Sequence, residues 1–187
     1  TRRTFIKSLS AAGGAIGLAG LPKLALGQAP DAETEWTRKP VARARVPLNI
    51  LILGGTGFTG PEQVEYAIAR GHRVTLFNRN KTRPDFFKGK VAEELVGDLN
   101  NDTNALAGKK FDVVLDNPTT APAWVRNAAR QLAGNVKHYI FVSTTSTYSD
   151  QSIIGLNEDS PTAVLREGID PYSIDPQVIA GYYGGLK

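Results

Sequence analysis

The stretch Leu48-Asn-Ile-Leu-Ile-Leu-Gly-Gly-Thr-Gly-Phe-Thr-Gly60 decides the fold. Its first six residues are aliphatic apart from one asparagine, which is typical of a strand buried on both faces of a parallel sheet. The glycines that follow fit the spacing GxxGxxG from Gly54, or GxGxxG from Gly55, and both patterns include Gly57 and Gly60. Glycine allows a tight turn, a close approach of the backbone to a pyrophosphate, and close packing of a helix on the strand. The stretch therefore predicts a strand, a phosphate-binding loop and a helix whose first amides face the phosphates.

The sequence after this loop alternates between helical and strand patterns. Pro61 suits the first turn of a helix, and Gly71 suits its C-terminal end. The patterns predict further strands at 73–77, 94–96, 111–115 and 138–143, and a second helix at 123–133. Such alternation is typical of the α/β class, and it predicts a Rossmann-type doubly wound parallel sheet. A helical pattern has just begun where the sequence ends, so we expect a domain truncated before a C-terminal substrate-binding part.

Composition and charge exclude several classes of site. The net charge of +4 comes entirely from residues 1–27, which hold four basic side chains and no acidic one; the other 18 basic side chains balance the 18 acidic ones. A neutral body offers no electrostatic footprint for nucleic acid, so no nucleic-acid partner is expected. The chain has no cysteine, and its two histidines, His72 and His138, lie far apart beside predicted strands. No metal site is expected.

Residues 1–27 carry the pattern of an export signal. Arg2 and Arg3 are followed by Thr-Phe-Ile-Lys7 and by an apolar run rich in glycine and alanine, too short to span a bilayer stably. This order resembles the twin-arginine signal peptide, which implies the twin-arginine export machinery as a partner and a periplasmic or exported location in a bacterium. The alternative is an amphipathic N-terminal helix. Residues 28–47 contain three prolines and mixed charge, and we expect them to form a linker.

The end of the second predicted strand bears on the choice of cofactor. An acidic residue at this point would bind the adenosine ribose of NAD. The sequence instead reads Phe77-Asn78-Arg79-Asn80-Lys81. A guanidinium can hold a 2′-phosphate bidentately, so Arg79 favours NADP over NAD. The alternative is that Arg79 is a solvated loop cation.

Three motifs together resemble the extended short-chain dehydrogenase/reductases, the NAD-dependent epimerase/dehydratase family. They are the glycine stretch that ends at Gly60, Val74-Thr-Leu-Phe-Asn-Arg79, and Gly97-Asp-Leu99. In that family the Asp-Leu pair contacts the adenine, which implicates Asp98 and Leu99. The cofactor-binding residues expected from the motifs are Gly54, Gly57, Phe58, Thr59, Gly60, Asn78, Arg79, Asp98, Leu99, Tyr183 and Lys187. The sequence departs from the family at Asp116-Asn117-Pro118, where small residues are usual.

The pair Tyr183-x-x-x-Lys187 has the spacing of an acid/base unit. Residues at i and i+4 lie on one face of a helix, where the lysine ammonium can lower the pKa of the tyrosine phenol toward neutrality. The chain has six tyrosines, and only Tyr183 has a lysine at this spacing. The pair also follows the glycine loop and the adenine-site aspartate in the order that the family shows.

The resemblance implies a hydroxyl partner for this pair. The stretch 139–148 resembles the family's fifth strand, and the position four residues before Tyr148 makes Thr144 the catalytic hydroxyl; Ser143 and Thr145 are the alternatives. In the implied mechanism Thr144 hydrogen-bonds the substrate oxygen, and Tyr183 removes its proton. Hydride then passes between that carbon and the nicotinamide, while Lys187 holds the nicotinamide ribose.

These features predict the function of the domain at 48–187. We expect an NAD(P)-dependent epimerase/dehydratase or reductase that transfers hydride at a hydroxyl-bearing carbon of a sugar-like small molecule, such as a sugar or nucleotide-sugar. A homodimer is compatible with this prediction. The alternative from another class is a non-catalytic dinucleotide-binding or RNA-binding relative.

Overall fold

The structure is a computed structural model that describes residues 41–118 and 120–187. The predicted signal peptide at 1–27 and the first part of the predicted linker lie outside the described residues. The described part of the linker, 41–47, contains no helix or strand. The backbone N–H of Ala44 donates to the carbonyl oxygen of Arg70 at 2.8 Å, so this part of the chain is joined to the domain.

Five strands form one parallel sheet in the order β3-β2-β1-β4-β5. The strands are β1 (Asn49–Leu53), β2 (Arg73–Asn78), β3 (Glu93–Val96), β4 (Phe111–Asp116) and β5 (Val136–Phe141). The strand order reverses between β1 and β4. In sheets of this kind a ligand binds beyond the carboxyl ends of the strands at the reversal. The predicted Rossmann-type doubly wound sheet is confirmed.

Within the described residues, three α-helices connect and follow the strands: α1 (Gly60–Ala69), α2 (Pro122–Leu132) and α3 (Pro176–Gly181). Short 3-10 turns lie at Asn104–Leu106 and Thr145–Thr147. Pro61 lies in the first turn of α1, and Gly71 follows the end of that helix with a positive φ of 86°, as the sequence predicts. Strand β5 is displaced from its predicted bounds, since it both begins and ends two residues earlier.

The core lies on both faces of β1. Leu51 and Leu53 pack on the same side as Ala128 and Leu132 of α2. On the opposite side, Ile50 and Ile52 pack with Val64 and Ala67 of α1. Fully burying one such aliphatic side chain stabilises the fold by about 1.5–3 kcal/mol. The continuous apolar run in β1 is therefore explained by burial on both faces.

Within 41–118 and 120–187, no helix is long and apolar enough to cross a membrane. The same residues contain no group of three or more His, Cys, Asp or Glu side chains placed to hold a metal ion.

Candidate functional site

The glycine loop between β1 and α1 has little room for any side chain. Gly54 has a positive φ of 73°, and the N–H of Gly57 donates to its carbonyl oxygen at 3.0 Å. A Cβ on Gly55 would lie 2.7 Å from a methyl group of Leu76, and a Cβ on Gly60 would lie 2.4 Å from the carbonyl carbon of Gly55. Gly54 is therefore required for its backbone conformation, and Gly55 is required because no side chain fits at its position. Gly60 permits the close contact of α1 with the loop.

A cavity of about 400 Å³ lies at the carboxyl ends of the strands, beside this loop. That volume is typical of small-molecule sites. The predicted cofactor residues that line it are Gly54, Gly57, Phe58, Thr59, Asn78, Arg79, Asp98 and Leu99. The other predicted site residues lie within the described part of the chain but do not line this cavity; they are Gly60, Thr144, Tyr183 and Lys187.

One part of the cavity wall is basic. Arg79 and Lys81 both line it, directly after β2, and Asn80 between them has a positive φ of 52°. Asparagine tolerates this left-handed conformation better than most residues. The tight turn brings both cations to the same cavity. The wall therefore presents two positive charges after β2, at the point where an acidic side chain would bind the adenosine ribose of NAD.

Hydrogen bonds shape another part of the cavity wall, at Asp98 and Trp124. The Asp98 carboxylate accepts from the N–H of Asn100 at 2.9 Å. The indole N–H of Trp124 donates to the side-chain oxygen of Asn100 at 3.2 Å, and the Trp124 ring lines the cavity. The sequence analysis missed Trp124, because it connects to the site through a loop that is distant in sequence.

The departure from the family pattern after β4 also lies in the cavity wall. Asn117 and Pro118 both line the cavity. Asn117 and Gln63 of α1 exchange two amide hydrogen bonds, of 3.0 and 2.7 Å. The Pro118 ring lies 3.1 Å from the position that a Cβ on Gly54 would take. These contacts join the end of β4 to the glycine loop and to α1.

The Ser/Thr cluster after β5 reaches the site through Ser143, which lines the cavity. The Thr144 hydroxyl oxygen accepts from the N–H of Ser146 at 3.2 Å and begins the 3-10 turn that follows. A hydroxyl in this position keeps its own proton available for donation. Thr144 as the substrate-binding hydroxyl, with Ser143 and Thr145 as its alternatives, stays a prediction.

The prediction that Tyr183 and Lys187 share one helix face is wrong in its local structure. Helix α3 ends at Gly181, and the residues that follow form turns. Gly184 and Gly185 each disfavour helix by about 1 kcal/mol relative to alanine. A Cβ on Gly184 would lie 2.0 Å from the carbonyl oxygen of Ser146, so this segment packs backbone to backbone on the turn after β5.

The structure nevertheless brings the two side chains together. The Lys187 ammonium nitrogen lies 4.8 Å from the centre of the Tyr183 ring and 5.8 Å from the centre of the Phe141 ring. Partial burial lowers the pKa of Lys187, and the negative charge of Asp116 acts in the opposite direction. The cation is thus held against the tyrosine by a turn instead of by a helix.

Asp116, at the end of β4, is a fully buried carboxylate that the sequence analysis did not assign to the site. The Tyr139 hydroxyl donates to it at 2.5 Å. Burial raises the pKa of Asp116 to about 6, against the opposing effects of the Tyr139 hydrogen bond and the charge of Lys187. The pKa of Tyr139 is raised by its own burial and by the neighbouring carboxylate.

Comparison with known proteins supports the resemblance inferred from the motifs. Residues 50–117, from β1 to the end of β4, match the model of the NAD dependent epimerase/dehydratase family. The photosystem II assembly factor Ycf39 of Trieres chinensis is 28% identical over 154 residues, which are 74% of this chain and 47% of that protein. Eugenol synthase 1 of Petunia hybrida is 30% identical over 156 residues, or 72% of this chain and 50% of that protein. The chain spans about half the length of these two relatives.

Solved structures share the fold. WbmG from Bordetella bronchiseptica, in complex with NAD, superposes with a TM-score of 0.57 at 18% identity, over 76% of this chain and 48% of that one. A UDP-galactose 4-epimerase superposes with a TM-score of 0.55 at 22% identity, over 73% and 48% of the two chains. At these identities the likeness shows the Rossmann fold alone.

Proposed function

We propose that this chain is the cofactor-binding part of an NAD(P)-dependent epimerase/dehydratase or reductase of the extended short-chain dehydrogenase type. The observation that carries the proposal is the cavity beside the glycine loop, which gathers eight of the predicted cofactor residues from three separate segments. The family model covers the same segments up to the end of β4.

The residues present fit a dinucleotide. The glycine loop lines the cavity with its own backbone before the start of α1, which suits a pyrophosphate, and the basic wall at Arg79 and Lys81 suits an adenosine 2′-phosphate. We therefore propose NADP in preference to NAD. When bound, the nicotinamide accepts or returns a hydride.

The chain's own residues supply binding and proton transfer in the proposed reaction. Thr144 or Ser143 hydrogen-bonds the substrate oxygen, and Tyr183 takes the proton from it. The Lys187 ammonium lies 4.8 Å from the Tyr183 ring centre, so its positive charge acts on the group that makes this transfer. The proposed substrate is a small hydroxylated molecule of the sugar or nucleotide-sugar class, by analogy with the UDP-sugar epimerases that share this fold.

The experiment compares Tyr183→Phe with Tyr182→Phe in purified protein. Both substitutions remove one hydroxyl from neighbouring aromatic rings. NADPH binding is followed by calorimetry, and turnover is followed with a panel of UDP-sugars. We expect Tyr183→Phe to abolish turnover while NADPH still binds, and Tyr182→Phe to keep both turnover and binding. Full turnover in Tyr183→Phe would exclude the tyrosine as the acid/base.

A second candidate is a non-catalytic dinucleotide-binding protein. One relative carries the name of an assembly factor, which favours this candidate. It predicts NADPH binding without turnover of any tested substrate, and equal behaviour of the two tyrosine variants.

We further propose that residues 1–27 direct the folded protein across the bacterial inner membrane by the twin-arginine route. The support is the sequence order of Arg2, Arg3, Phe5 and Lys7 before the apolar run. A reporter fused after residue 27 should be exported, and replacement of both arginines by lysine should abolish its export. Export that survives this replacement would refute the proposal.

A further inference from the structure

Asp116 is the one buried carboxylate among the described residues, and the proposed reaction does not use it. One of its oxygens, Oδ2, accepts the 2.5 Å hydrogen bond from Tyr139. The other, Oδ1, is buried and makes no hydrogen bond with the described residues. A buried ionisable group that lacks full hydrogen bonding is costly to the fold. The next residue, Asn117, lines the binding cavity, and this place beside the site indicates a functional reason for the carboxylate.

The sheet register places this carboxylate beside the final segment of the chain. Asp116 of β4 pairs with Phe141 of β5, and neighbours in register point to the same face of a parallel sheet. Tyr139 lies two residues before Phe141 and therefore shares that face. The Lys187 ammonium lies 5.8 Å from the Phe141 ring centre, above this same part of the sheet.

Few charged groups face Asp116. Strand β5 contributes Tyr139, the final segment contributes Lys187, and β1 contributes only the apolar Leu53 at this level. The remaining charges on the two strands lie at their amino ends, where Asp112 and Lys137 form an ion pair of 2.7 Å. The electrostatic partner of Asp116 is thus Lys187.

We propose that Asp116, with Tyr139 as its hydrogen-bond donor, is a positioning residue that keeps Lys187 protonated and directed at Tyr183. The inference rests on the proposed function, because Lys187 acts there on Tyr183. Partial burial disfavours the ammonium form of Lys187, and a carboxylate on the same sheet face counteracts that effect. The Tyr139 hydrogen bond in turn favours the ionised form of Asp116.

The first test needs neither cofactor nor substrate. The protein is labelled with ¹³C at the lysine ε-carbons, and the Lys187 signal is followed by NMR from pH 4 to pH 11. In the wild type we expect a small inflection near pH 6, where Asp116 titrates, before the main titration of Lys187. In Asp116→Asn the inflection should vanish, and the main midpoint should move to lower pH.

Asp85→Asn is the matched control, because it removes the same charge from an exposed loop position. Asp85 has a positive φ of 59°, which asparagine accepts readily, so its backbone is unaffected. Its Lys187 signal should match that of the wild type. An Asp116→Asn protein with wild-type Lys187 titration would overturn the proposal.

Tyr139→Phe keeps the carboxylate and removes only its donor, so it remains informative if Asp116→Asn does not fold. The loss of this hydrogen bond should raise the pKa of Asp116 and move the inflection to higher pH. An inflection that stays in place would overturn the proposal. The two claims fail separately. Absence of turnover with every substrate would count against the proposed function and leave the NMR results intact, whereas an unchanged Lys187 titration in Asp116→Asn would overturn the positioning role and leave the turnover of the wild type intact.

Discussion

Replacement of Gly184 by alanine tests how the final segment reaches the site. The alanine Cβ would lie 2.0 Å from the carbonyl oxygen of Ser146 and 2.9 Å from its carbon. Real Cβ contacts essentially never fall below 3.0 Å, so the segment must retreat by roughly 1 Å. Because the contact is with backbone, no rotation of a side chain can relieve it. Forced overpacking of this kind costs about 1–3 kcal/mol.

Gly181→Ala is the control for this substitution. Gly181 is the last residue of α3, and a Cβ there would meet nothing within 4 Å. Alanine in this helical position should be neutral or should stabilise the protein by up to about 1 kcal/mol. Urea unfolding of both variants gives the two free energies of unfolding directly.

The functional consequence follows from the same displacement. A shift of roughly 1 Å in catalytic groups can reduce turnover by about 100-fold. We therefore expect Gly184→Ala to lose both stability and turnover, and Gly181→Ala to lose neither. If Gly184→Ala unfolds at the same urea concentration as Gly181→Ala, the segment is not docked on Ser146 and the reasoning is refuted.

Three further predictions concern the cavity and its buried carboxylate. Arg79→Ala should weaken NADP binding by about 10–100-fold and leave NAD binding nearly unchanged, since charged hydrogen bonds contribute about 1.5–3 kcal/mol. Calorimetry measures both affinities, with Lys88→Ala as the control. Equal losses of affinity for the two cofactors would contradict the 2′-phosphate site. Because the pKa of Asp116 is raised from 3.8 to about 6, the folded protein binds a proton there more tightly than the unfolded chain does. This proton binding stabilises the fold fully below pH 4, and the stabilisation is lost as the pH rises through 6. That loss is about 3 kcal/mol by pH 7, and urea unfolding of Asp116→Asn should show a flatter profile; an unchanged profile would count against the shift. Gly60→Ala should abolish NADPH binding because its Cβ would meet the backbone of the loop, and retained binding would show that the loop can adjust.

The sequence alone determined the architecture and one edge of the site. An apolar run such as Leu48–Leu53 is informative because burial on both faces of a strand leaves no polar alternation. The glycine spacing after it is informative because backbone conformation and space restrict those positions to glycine, as Gly55 and Gly60 show. Asp98 was predicted from the family resemblance and Arg79 from its place at the end of the second strand, and both line the cavity.

Only the tertiary structure decided how the other edge of the site is built. Helical spacing placed Tyr183 and Lys187 on a helix, but the two glycines between them and a contact with Ser146 end that helix early. Their proximity survives because long-range packing, and not local periodicity, holds Lys187 over the sheet. The Asp116–Tyr139 hydrogen bond has the same origin, since strand register joins residues 23 positions apart. Patterns within one segment cannot reveal such contacts, whose free energy arises only when separate segments pack together.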